Sequence, residues 1–179
     1  MRKLAIIAII VVFLAAFGVA VAQKENQLAH GQVVILAIAP VDPFSLIQGH
    51  YMALDFELAG NILNALGHDR YERRMIPRQG TAIITLDENN IGRFARLDDG
   101  SPLTAGELKL RFKMRRGGVL LASGTFFFQE SHAELYESAK YGELRLDSRD
   151  RPLIANLLNN DFVAISGFKA EDGREEWAE

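Results

Sequence analysis

Glu107-Leu108-Lys109-Leu110-Arg111-Phe112-Lys113-Met114-Arg115 alternates without a break between apolar and charged side chains, apart from the acidic first residue all of one sign. Successive side chains of a strand point to opposite faces, so Leu108, Leu110, Phe112 and Met114 make an inner face and Lys109, Arg111, Lys113 and Arg115 an outer one. Gly117-Gly118 then supplies a tight turn, and residues 119–128 return as the partner strand. One dry face and one wet face is the pattern of an antiparallel sheet.

Working outward, residues 81–86 and 91–97 flank Asp87-Glu88-Asn89-Asn90 and predict a hairpin. Residues 33–41 form an apolar, β-branched run ended by Pro40 and Pro43, which suits a buried strand. Residues 50–59 alternate, with His50, Met52, Leu54, Phe56 and Leu58 on one side, and predict a half-buried strand. Residues 61–66 then suit a short helix that starts near Asn61 and stops at Gly67. Ser131 caps a helix running to Lys140, with Glu134 completing a capping box. Residues 142–147 and 162–168 read as further strands, and residues 152–158 carry no decisive pattern. The expected fold is α+β, a mostly antiparallel domain of six to eight short strands with two or three short helices. Residues 33–98 and 106–168 fit either one sheet or two lobes.

Before this domain stand Met1-Arg2-Lys3 and then nineteen residues, 4–22, with no charged or strongly polar side chain. At about 1.5 Å per residue such a helix covers roughly the 30 Å hydrocarbon core of a bilayer. A transmembrane anchor is therefore expected over residues 1–22, followed by a polar stalk at 23–32, the β-rich domain at 33–170 and a charged tail at 171–179. Ala20-Val21-Ala22 also matches the small-residue pattern before a signal-peptide cleavage site, although signal cores are usually about 7–15 residues. With Arg2 and Lys3 held in the cytoplasm, the domain lies across the inner membrane in a single-pass, extracytoplasmic arrangement, the periplasm of a Gram-negative cell.

The chain has 179 residues, formal net charge −3 and no cysteine. The missing thiols exclude a disulfide scaffold, thiolate metal sites and a cysteine nucleophile. Without Arg2 and Lys3 the remainder holds 18 basic against 23 acidic residues, a balance that does not suit nucleic-acid binding.

One segment carries a family resemblance. Pro40-Val41-Asp42-Pro43-Phe44-Ser45-Leu46-Ile47-Gln48-Gly49-His50-Tyr51-Met52-Ala53-Leu54-Asp55-Phe56 resembles the signature of the GDYXXLXY family of bacterial membrane-anchored proteins, a Val-Asp-Pro turn followed by Gly-Asp-Tyr-x-x-Leu-x-Tyr. Gly49, Tyr51 and Leu54 match, His50 stands in the place of the acidic residue, and Phe56 replaces the last Tyr. Phe127-Phe128-Gln129-Glu130 and the stretch from Ala133 to Glu143 are similar to family members in order and spacing. The resemblance implies a membrane-anchored protein and brings no catalytic residue with it.

The residues themselves offer two surfaces. Tyr51, Asp55 and Glu57 share one side of the expected strand, and Lys109, Arg111, Lys113 and Arg115 place cations about 6.5–7 Å apart, a spacing able to follow an anionic partner such as lipid headgroups or an acidic protein surface. A solvated sheet face with edge-protecting cations explains the second pattern equally well. His30, His50, His68 and His132 are scattered, no H-E-x-x-H or G-x-S-x-G occurs, and Gly117-Gly118 lacks the lysine and helix of a phosphate loop. Neither a metal nor another cofactor is expected. The expected function is a non-enzymatic accessory or interaction protein of the envelope, bound to the membrane by its N-terminal helix and partnered by an integral membrane protein. The alternatives are a serine hydrolase using Ser45 and a small-ligand binder with a site near Ser131.

Overall fold

The apolar N-terminal run folds as one helix, α1 (Arg2–His30), in the computed structural model, which describes residues 2–39, 47–48, 51–67, 78–115, 118–127, 136 and 138–165. Ile9, Phe13 and Phe17 are among the large apolar side chains it leaves exposed, so α1 projects from the domain rather than packing into it. Residues 9–30 are long and apolar enough to cross a membrane. The polar stretch 23–30 is helical, the continuation of α1 to His30, unbroken through Ala20-Val21-Ala22.

Among the described residues ten strands follow, in three antiparallel sheets. In the first, β9 (Tyr141–Leu146) lies between β1 (Gln32–Ala37) and β10 (Pro152–Leu158). In the second, β3 (Tyr51–Ala53) lies between β2 (Ile47–Gln48) and β8 (Thr125–Phe127). The third has the order β5 (Gly92–Leu97), β4 (Gln79–Leu86), β6 (Glu107–Arg115), β7 (Gly118–Leu120). The sheets share one core. Val34, Leu36, Leu144 and Leu157 from the first meet Ala82, Ile84, Leu110 and Phe112 from the third, and α2 (Glu57–Ala65) adds Leu58, Ala59 and Ile62. Burying each such aliphatic side chain stabilises the fold by about 1.5–3 kcal/mol. The α+β architecture with an N-terminal helix is as the sequence predicts.

Several elements differ from their sequence reading. The alternation over residues 50–59 is a strand only through Ala53; α2 begins at Glu57, four residues before Asn61. Leu58 and Ala59 are adjacent and both buried, which a helix facing the core allows and one face of a strand does not. Gly67 stops the helix as expected, with φ of +100°. Residues 119–128 are not one partner strand: β7 pairs with β6, whereas β8 crosses to pair with β3. The strand expected at 33–41 ends at Ala37. Residues 152–158 are strand, while of the strand expected at 162–168 the described part, 162–165, follows a turn and holds a single bridge, Leu158 to Ala164; residues 166–168 lie outside the described residues. Most of the helix expected at 131–140 lies outside the described residues, though Tyr136 is helical.

Candidate functional site: the cationic sheet face and the foot of α1

Alternation along β6 places Lys109, Arg111, Lys113 and Arg115 on one face, as the sequence predicts; β4 pairs with one side of β6, and β7 covers the other side only from Lys113 to Arg115. The cations of that face also divide into two kinds. Lys109 donates to Asp98 at 2.8 Å, and Arg96 bonds Asp99 at 2.8 Å and Glu107 at 3.2 Å. Ile83, opposite both Arg96 and Lys109, is fully buried beneath their aliphatic stems. The Lys109 ammonium, followed by the Gly100 amide, holds the Asp98 carboxyl below its ordinary range. The Thr104 amide is the largest cause of the same depression at Glu107, followed by Arg96. This part of the face is electrically satisfied. Arg111, Lys113 and Arg115 are exposed and enter none of the ion pairs among the described residues. Opposite Arg111 and Lys113 on β4 stand only Thr81 and Gln79.

The foot of α1 adjoins this free end. Gln27 is 5% exposed, the one buried polar residue among those described, and its amide donates to the carbonyls of Arg145 at 2.9 Å and Arg151 at 2.8 Å. Its oxygen accepts from Lys24 Nζ at 3.1 Å. Gly31 follows, where a Cβ would collide with the Gln27 carbonyl and stand 2.8 Å from that of Leu146. The helix is thereby held against the turn joining β9 to β10. In that turn Asp147 pairs with Arg151 at 2.6 Å, and the Asp150 carbonyl accepts from the Arg111 amide at 2.9 Å. Burial pushes the Asp150 carboxyl above its ordinary range, opposed by Lys109 and Arg111. A cavity of about 490 Å³ opens here, lined by Lys24, Arg111, Lys113 and Arg151 above Phe112 and Leu121. None of the described residues that line it is acidic.

Leu54 and Phe56 are buried in the core, and the Leu54 amide donates to the Gly124 carbonyl at 3.1 Å. Tyr51 pairs with Phe127 across β3 and β8. Phe56 bridges Ile38, and its ring lies so close to Gly142 that a Cβ there would stand 2.8 Å from it. The two stretches that carry the family resemblance are therefore packed on each other. Tyr51, Asp55 and Glu57 do not share a strand face, because β3 ends at Ala53 and Glu57 opens α2. Gly49, His50, Ser45, His68, Ser131 and His132 lie outside the described residues. Among the described residues no group of three His, Asp or Glu side chains is placed to hold a metal.

Sequence reasoning missed Gln27, whose only signal was one amide in a polar stretch, and the contact of Phe56 with Gly142. No curated protein and no solved structure matches the chain. The GDYXXLXY protein family matches residues 13–157, from the middle of α1 into β10, and with that span covering most of the sequence the chain belongs to this family.

Proposed function

We propose that this GDYXXLXY protein is a non-enzymatic accessory protein of the bacterial envelope, anchored by an uncleaved α1 in the inner membrane with its domain outside the cytoplasm and an integral membrane protein as its partner. The observation that carries this reading is the seating of Gln27. A flexible tether would only keep the domain near the bilayer, whereas Gln27 and Gly31 fix it at the end of an apolar helix. Arg2 and Lys3 at the other end favour a cytoplasmic N-terminus. Confinement of this kind raises the effective concentration of a weakly binding partner in the same membrane. Exposed apolar side chains around α1 supply a surface for contacts within the bilayer.

Crosslinking in the native envelope, followed by mass spectrometry that includes the N-terminal peptide, tests this. The expected result is an intact Met1 or Arg2 terminus and one dominant integral membrane partner. A mature terminus at Gln23, with the protein in the soluble fraction and no specific partner, would contradict it.

A further inference from the structure

We infer that the cavity between the foot of α1 and the free basic end of β6 binds the phosphate of an anionic membrane lipid headgroup. The inference rests on α1 being a retained membrane helix. Ala22 closes the apolar run, and at about 1.5 Å per residue Lys24 lies about 3 Å beyond it and Gln27 about 7–8 Å beyond it along the axis. The polar layer of a bilayer is about 5–8 Å deep on each side. Lys24 is thus at headgroup level, and Gln27 fixes the β9–β10 turn at nearly the same height.

What the cavity presents there is suited to a phosphate. Lys24, Arg111, Lys113 and Arg151 come from three separate parts of the chain and converge on one space. Among the described residues Lys24, Arg111 and Lys113 enter no ion pair. Arg151 is paired with Asp147, and the Asp150 carboxyl, pushed above its ordinary range by burial, feels the charges of Lys109 and Arg111. Among the described residues Lys24 bonds a neutral amide oxygen, and Arg111 and Lys113 have Thr81 and Gln79 opposite them on β4. Guanidinium groups match phosphate oxygens in pairs, and an ammonium adds a point charge. About 490 Å³ lies within the roughly 300–1,000 Å³ typical of small-ligand sites. Phe112 and Leu121 give the lining an apolar part beside the cations, which suits a molecule that is charged at one end and oily at the other.

Native mass spectrometry of the detergent-solubilised full chain, titrated in parallel with phosphatidylglycerol, phosphatidylcholine, glycerol 1-phosphate and inorganic phosphate, tests the assignment. Phosphatidylglycerol is expected to bind about tenfold more tightly than phosphatidylcholine, and Arg111→Gln/Lys113→Gln to remove about that factor. Arg115→Gln, on the same face of β6 but outside the cavity lining, should stay within about twofold. Lys24→Gln changes an exposed side chain outside the core, and its thermal midpoint is read beside its expected several-fold loss, which is scored even if the double variant melts early. Equal binding of the two lipids, or full retention by Lys24→Gln, would overturn the proposal. Glycerol 1-phosphate or inorganic phosphate binding as tightly as the lipid would also overturn it, by assigning the cavity to a soluble phosphate. Anchoring and partner are scored separately in the envelope, so failure of that reading leaves a different mark.

Discussion

Asn90, Asp150 and Phe162 share one backbone conformation, with φ of 61°, 59° and 59°. Each is the last residue of a turn built in the same way. Asp87, Asp147 and Asn159 open the three turns, and each side-chain oxygen accepts from the amides two and four residues on, at 2.9–3.0 Å. A left-handed residue after such a turn costs about 1–2 kcal/mol for most side chains, less for Asn and Asp, which bond locally. Phe162 lacks that relief but has its ring against Tyr141, centroids 4.7 Å apart. Asn90→Ala is expected to destabilise the protein by about 1 kcal/mol while Asn90→Gly holds its stability, read as thermal midpoints in detergent. An equal loss in both variants would mean that the Asn90 side chain, not its backbone angle, is what matters. The first of these turns was legible in the sequence because alternating strands flank it. The second uses nearly the same chemistry, Asp147-Ser148-Arg149-Asp150, yet passed unnoticed for want of a readable strand after it.

Strand β10 explains that failure. Its pairing with β9 slips between Ile154 and Asn156, so the extra residue breaks the period of two that would have marked it. Where no bulge intervenes, as in β6, the periodicity of the sequence agrees with the burial from Leu110 to Arg115. At α2 the failure has another source: Leu54, Phe56 and Leu58 fit a strand period, and only the burial of neighbouring Leu58 and Ala59 shows the helix. Residues 119–128 have enough strand-forming side chains for one long element, and nothing local announces that β7 and β8 join different sheets. The family signature works at this scale too, since Phe56, just before α2, fills the space that Gly142 leaves on β9. Gly142→Ala is expected to cost about 1–3 kcal/mol, and Phe56→Leu in the same chain to recover part of that loss. A double-mutant cycle of thermal midpoints measures the coupling; strictly additive effects would separate the two segments.

At the scale of the whole molecule, an exposed apolar helix and a folded domain are joined by very little: the Gln27 amide, the close approach at Gly31, and Lys24 at the edge of a basic cavity. The helix itself was the clearest feature of the sequence, because an apolar run has only one geometry that satisfies its backbone in lipid. Its attachment was not legible. Hydropathy marks Gln27 as solvent-facing, and only the two carbonyls of Arg145 and Arg151 show why the amide is buried. The neutralised and free parts of the cationic face were likewise hidden, because Asp98 and Glu107 reach Lys109 and Arg96 only through the pairing of β4, β5 and β6. The account requires α1 and the domain to behave as one body at the membrane surface. The absence of cysteine allows spin labels to be placed cleanly at Ala16→Cys on α1 and Arg93→Cys on β5, both exposed, for a pulsed dipolar distance measurement in lipid nanodiscs. The account predicts a single narrow distance distribution that broadens when Gln27→Ala is added. A distribution already broad with Gln27 in place would contradict it.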